Sequence, residues 1–250
     1  MEFLYDKENH QNILLEDYGH GLAVQANQHM VVHNGQGILF DPGGHKVYNQ
    51  AFSQVASTIR MKDLKYILLS HQDPDIVAAL NGWLMTTDAT ALCSKLWIRF
   101  IPHFGVDKYV EHRLVPIPDE GQILDLNGSE LYIIPAHFLH SCGNFQVYDP
   151  ISKILYTGDL GASIGMDYTE VSDFNSHLKY MKGFHQRYMT ANIALKSWAN
   201  MVRQLDIEVI APQHGALFKG KDLVETFISW CEELECGLDF AASIFNLPKK

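Results

Sequence analysis

Runs of branched and aromatic residues recur along the chain, each closed by a cluster of turn-forming residues, and this pattern predicts alternating strands and helices. Residues 22–26 and 30–32 read as strands. Asn34-Gly35, a favoured type I′ pair, turns the chain into a further strand at 37–40. Phe52, Val55, Ala56 and Ile59 fall on one side of a helix over 49–59. Residues 66–70 form a short buried strand, and a helix is expected over 76–85. A strand at 90–93 is paired with a helical stretch at 96–100. The polar, proline-containing segment 105–126 carries no clear element, and His103 and His112 around it read as surface residues. A second strand group follows at 131–134, 143–148 and 153–157, with Asp149-Pro150 as a turn. Residues 173–203 form the longest helical pattern, with a break expected near 188–192. Its stripe of Phe174, Leu178, Met181, Phe184 and Tyr188 predicts a core face, with His177 and His185 as polar or core-edge residues beside it. A strand at 207–210 and an amphipathic helix over 223–238 complete the pattern. Two successive β-rich groups, each followed by helices, predict an α/β fold: an αββα sandwich forming one domain over residues 1–250.

Composition narrows the partners. Of 250 residues, 47% are hydrophobic, enough for a large core. Nineteen basic residues against 29 acidic ones give a formal charge of −10, which repels phosphate backbones and anionic headgroups. Nucleic acid and membrane surfaces are therefore excluded as expected partners. The N-terminus lacks a basic segment followed by an apolar run, and no stretch reaches the roughly 18 apolar residues of a membrane span. A cytoplasmic protein without membrane insertion is expected. Cys93 reads as buried filler, and Cys231 and Cys236 lie on different faces of a helical stretch. With Cys142 these thiols fit a reducing compartment.

Chemistry gathers at the ends of strands. The strand at 66–70 runs into His71-Gln72-Asp73-Pro74-Asp75, which alternates an imidazole with two carboxylates. Pro74 fixes its own φ and shapes that loop. Three further strand-end or turn segments carry ligand-type side chains: Leu139-His140, Thr157-Gly158-Asp159 and Pro212-Gln213-His214-Gly215. A solvated turn or a helix cap explains any one of them alone. A sandwich, however, collects its strand ends at one edge, so the four together point to a metal site.

In these segments the sequence resembles the metallo-β-lactamase superfamily, whose ordered ligands begin with a His-x-His-x-Asp-His loop. A carboxylate at the third loop position, Asp73, is similar to the diiron branch: the metal domain of flavodiiron proteins and the oxygen-binding diiron proteins. Segments 136–141, 156–161 and 211–215 carry the same likeness, which spans roughly residues 18 to 240. The resemblance implies one metal on His71, Asp73 and His140, a second on Asp75 and His214, and Asp159 bridging both. Asp73 is one methylene shorter than the usual Glu, and Ile76 stands where the last loop histidine would be. The second metal then keeps an open position or borrows His137 or His45.

Three carboxylates beside three imidazoles suit iron better than zinc, because hard anionic oxygens stabilise the higher oxidation state; manganese ranks behind iron. A non-haem diiron centre is expected, bridged by oxo, hydroxo or peroxo groups. The chain shows no glycine-rich flavin fingerprint and no later βαβ segment, so no flavodoxin domain is expected. That favours an O2-binding sensor of oxygen or iron, acting with a chemoreceptor or other signalling protein as the resemblance implies, with a homodimer expected. Two alternatives stand beside it: an O2 or NO reductase served by a separate electron donor, and a metal-dependent hydrolase. Tyr188, Cys142, His45 and His137 are candidates to support the site from outside the ligand set.

Overall fold

The computed structural model describes residues 1–15 and 24–248. Two sheets face each other, with helices on both outer sides, which is the αββα architecture the strand and helix pattern predicts. The first sheet has seven strands in sequential order: β1 (Glu2–Lys7), β2 (His10–Leu14), β3 (His29–His33), β4 (Gln36–Phe40), β5 (Leu64–Leu68), β6 (Thr90–Ser94) and β7 (Leu114–Ile117). Its first four strands are antiparallel, and β4 to β7 run parallel. The second sheet is ordered β13-β12-β11-β10-β9-β8. It comprises β8 (Gln122–Leu126), β9 (Ser129–Pro135), β10 (Phe145–Asp149), β11 (Ile154–Gly158), β12 (Val209–Pro212) and β13 (Phe218–Lys219).

Inward-facing apolar residues fill the space between the sheets, among them Val31, Ile38 and Leu68 from one and Ile133, Phe145 and Val147 from the other. Alternation along each strand sends the remaining apolar residues outward, where helices cover them. On the first sheet α1 (Tyr48–Thr58) and α3 (Leu80–Thr86) pack through Val55 and the fully buried Trp83. On the second, α4 (Phe174–Tyr188), α5 (Asn192–Val202) and α6 (Lys221–Glu233) pack through Met181, Trp198 and Phe227. No helix among the described residues is long and apolar enough to cross a membrane.

Several boundaries differ from the sequence reading. The expected strand at 22–26 has no counterpart at 24–26, and residues 22 and 23 lie outside the described residues. The helix expected over 76–85 is two short ones, α2 (Pro74–Val77) and α3, because the Pro74 turn closes after one hydrogen-bonded turn. The stretch 96–100 is turn, leading into a short 3-10 helix over Ile101–Phe104. The helix expected over 223–238 stops at Glu233, and a 3-10 helix over Gly237–Phe240 and a short helix over Ala241–Ile244 follow it. The break between α4 and α5 falls where the sequence placed it, and Asn34 and Gly35 both have positive φ (47° and 78°), as a type I′ turn requires. Strands β1, β2, β7, β8 and β13 were not legible as strands.

Candidate metal centre

Four loops meet at one edge of the sandwich. Each follows a strand end: β5 leads to His71, β9 to His140, β11 to Asp159 and β12 to His214. Backbone hydrogen bonds stitch the loops together, one across the two sheets and one within the second sheet. Phe145 N–H donates to the Ser70 carbonyl (2.9 Å), and Gln213 N–H donates to the Gly158 carbonyl (2.7 Å). Glycine is required beside His214: Gly215 has φ +85°, and a Cβ there would stand 2.0 Å from Ser163 Oγ.

Asp73 caps α2 with extended backbone, Pro74 occupies its first turn, and Asp75 follows within that turn. The two carboxylates therefore leave the helix start toward the same opening. His71, Asp73, His140 and Asp159 each offer a ligand atom within 4.8 Å of the others. His140 Nε2 lies 2.8 Å from Asp159 Oδ2 and 3.6 Å from Asp73 Oδ2. His71 Nε2 lies 3.6 Å from Asp73 Oδ2 and 3.7 Å from Asp159 Oδ2. On the other side of Asp159, His214 Nε2 is 3.5 Å from Oδ1 and 3.3 Å from Asp75 Oδ2. Ligand atoms about 2.1 Å from a shared ion at right angles stand about 3 Å apart, so these separations suit metal ligands. Asp159 Oδ1 is buried without a hydrogen-bond partner, an orphan whose natural complement is a cation.

Neighbouring groups fix the imidazole orientations. His214 Nδ1 donates to the Gln25 carbonyl, which leaves Nε2 as the lone-pair nitrogen facing the cluster when the ring is neutral. Ser70 Oγ lies 2.9 Å from His71 Nδ1, and Ser70 N–H donates to Asp41 Oδ1 (2.8 Å). Burial pushes Asp41 up to about 6, partly offset by the His71 charge and by the bond from Ser70. Ser141 Oγ donates to Gln72 Oε1, whose amide nitrogen donates to Asp73 Oδ1. Gln25, Ser70, Asp41 and the Ser141–Gln72 pair escaped the sequence reading. Asp41 had only the signal of a turn, and the others are polar residues without a ligand pattern.

The charges of these groups depend on one another. Burial alone would lower His214, but the hydrogen bond to Asp75 and the Asp159 charge outweigh it and lift it to about 9. His71 is raised in the same way, burial being overcome by Asp159 and Asp73. Burial favours a neutral Asp159, yet the three surrounding imidazoles hold it well below the usual carboxylate range.

A cavity of about 660 Å³ opens over the cluster, with Asp73, Asp75, His140, Asp159 and His214 in its lining. Tyr188 belongs to that wall: it stacks on Phe184 (4.5 Å between centroids) and sets its ring edgewise to His140 (5.7 Å). The core stripe expected on α4 holds at Phe174 and Met181, with Leu178 and Phe184 packed against the core, and departs from it at Tyr188. His177 and His185 are fully buried, whereas Phe184 and Tyr188 face the cavity, Tyr188 being 55% exposed. His45 also lines the cavity. His137 is engaged elsewhere, with Nε2 donating to the Asp119 carbonyl (2.7 Å) and the ring against Phe145. Cys142 is exposed and does not line the cavity. Ile76 is fully buried in the core beneath α1 and α3.

The facing sheets and the strand-end cluster define a metallo-β-lactamase-type sandwich of the diiron branch. The chain belongs to the ODP beta-lactamase family, whose sequence model matches residues 24–215. It is similar to a solved structure of a peroxy diiron species of the chemotaxis sensor ODP, at 39% identity over 98% of this chain and 100% of that one, TM-score 0.88. It is also similar to the apo state of chemotaxis sensor ODP from T. denticola, at 36% identity, 98% of each chain and TM-score 0.87. The anaerobic nitric oxide reductase flavorubredoxin of Citrobacter koseri is 22% identical over 224 residues, 82% of this chain and 44% of that protein. The chain spans about half the length of the curated relatives it matches.

Proposed function

We propose that the chain is a non-haem diiron protein that takes up O2 and reports oxygen or iron to a chemotaxis-type signalling partner. The observation that carries this reading is the division of Asp159, with Oδ2 toward His71 and His140 and Oδ1 toward His214. One iron is assigned to His71, Asp73 and His140, the second to Asp75 and His214, with Asp159 bridging. Two ferrous ions held by these residues would supply a centre competent for O2. The protein's own groups do the rest. Ser70 and the Gln25 carbonyl hold the imidazoles of His71 and His214, while Phe184 and Tyr188 build an apolar wall over His140. The likeness to the two chemotaxis sensor structures supports a signalling role. A cytoplasmic homodimer working as one domain over residues 1–250 is part of the same reading.

Anaerobic reconstitution with ferrous iron tests it. We expect close to two irons per chain, and Asp159→Ala should lose most of both because one carboxylate serves two ions. Admission of O2 should produce a visible charge-transfer band and then stop consuming oxygen. Full iron in Asp159→Ala would overturn the bridging role. Sustained O2 consumption with an added electron donor would replace the sensor with a reductase. Hydrolysis that tracks metal content and vanishes in His71→Ala would replace it with a hydrolase.

A further inference from the structure

The two sides of the cluster are unequal. Around Asp159 Oδ2 stand two imidazoles and Asp73, whereas around Oδ1 stand one imidazole and Asp75. Ile76, one residue beyond Asp75, cannot restore the balance, since its side chain is aliphatic and fully buried in the core. His137 is committed to the Asp119 carbonyl.

His45 is differently placed. It is exposed, lines the same cavity as Asp75 and His214, and has no hydrogen bond or ion pair among the described residues. The backbone before it lies against the start of α2: a Cβ on Gly44 would stand 3.6 Å from the Asp75 Cα and 3.4 Å from the Pro74 carbonyl oxygen. The loop that carries His45 therefore borders the Asp75 side of the cavity, which both residues line. Gly43, at φ +89°, gives this loop a bend that residues with a Cβ rarely adopt.

We propose that His45 supplies the second imidazole on the Asp75–His214 side, as a solvent-facing ligand carried by the β4–α1 loop. This rests on the diiron reading above. A ligand on a surface loop differs from one on a strand end: it is held only by the ion, so it can yield its position to an incoming molecule without disturbing the core. The second metal would then be the more weakly held and the more exchangeable of the two.

Titration of the metal-free full chain with Co(II) separates this inference from the reading beneath it. Wild type should take two equivalents, with visible ligand-field bands for each. His45→Ala should keep the first equivalent and weaken the second by about tenfold or more, since even groups that only orient ligands change affinity on that scale. The second set of bands should shift with the loss of a nitrogen donor. An unchanged second equivalent with unchanged bands would overturn the role of His45 and leave the two-metal reading standing. A single equivalent in wild type would overturn both. Loss of the second equivalent in His137→Ala, with His45→Ala behaving as wild type, would transfer the role to His137.

Discussion

Neighbouring carboxylates raise the pKa values of His71 and His214, so a metal ion bound there would compete with protons. For His214 the folded pKa is about 9 against an ordinary value of 6.5, with burial opposing the shift and Asp75 and Asp159 driving it. A raised folded pKa contributes stability that is complete below 6.5 and is lost as pH rises through about 9. His71 acts in the same direction. The metal-free protein should therefore lose stability between those pH values, on the order of 2–3 kcal/mol from His214 alone. Denaturant unfolding at a series of pH values measures the slope, and His214→Ala should flatten it. Apparent metal affinity should rise over the same interval, because fewer protons compete. A wild-type profile that stays level from 6.5 to 9 would contradict the assignment of these charges.

At the scale of elements, α4 joins the cavity wall to the turn that carries Asp159. Phe184 and Tyr188 face the opening, while His185 between them is fully buried. His185 Nδ1 donates to the Met181 carbonyl (2.8 Å), so its Nε2 is free to accept from Gly161 N–H (2.9 Å), two residues past Asp159. Burial lowers its pKa to about 4, which keeps the ring neutral and the acceptor in place. His185→Leu should strand the Gly161 N–H at a cost of about 1–3 kcal/mol and reduce iron binding. His185→Gln, whose side-chain oxygen can accept the same bond, should recover much of both. Equal losses in the two variants, read by thermal melting and iron content, would show that the Gly161 bond does not hold the turn.

The strands that escaped the sequence reading also have a common cause. β1, β7, β8 and the two-residue β13 are sheet edges. Edge strands carry polar or exposed residues, such as Glu2, Pro116 and Ile123, that blur the alternation expected of a half-buried strand. β2 lies inside its sheet but buries His10 and Asn12, so its apolar pattern is interrupted by residues that look solvent-facing in isolation.

For the molecule as a whole, those buried polar residues clamp the two sheets at the end remote from the metal cluster. Asp149 Oδ2 meets His10 Nε2 (2.7 Å), Asn12 Nδ2 (2.7 Å) and Ser152 Oγ (2.7 Å), and Asn12 also donates to Tyr156 Oη (2.8 Å). His10 and Asn12 come from β2, and Asp149 and Tyr156 from β10 and β11, so one carboxylate ties sheet to sheet. Asp149→Ala should cost about 3–5 kcal/mol by leaving its partners buried and unpaired. Metal stoichiometry in the folded fraction should remain that of wild type, since the cluster hangs on the opposite strand ends. Chemical denaturation and metal analysis of the same sample would check both halves; lost metal in a fully folded variant would mean that the two ends are coupled.

The amino-acid sequence by itself determined the central strands, the αββα layering and the order of the six ligand-type residues His71, Asp73, Asp75, His140, Asp159 and His214. Those features are local: alternation marks a strand, and a polar cluster at its end marks a loop. Only tertiary structure decided which side chains share an opening. His137 and His140 are three residues apart, yet one meets the Asp119 carbonyl and the other Asp159. The face that α4 turns inward, the seat of Ile76 in the core and the place of His45 on the cavity wall depend on contacts between segments far apart in the chain. The physical reason is that hydrophobic periodicity records how much of a face is buried, while the register between sheets and the path of the loops settle which group is buried against which.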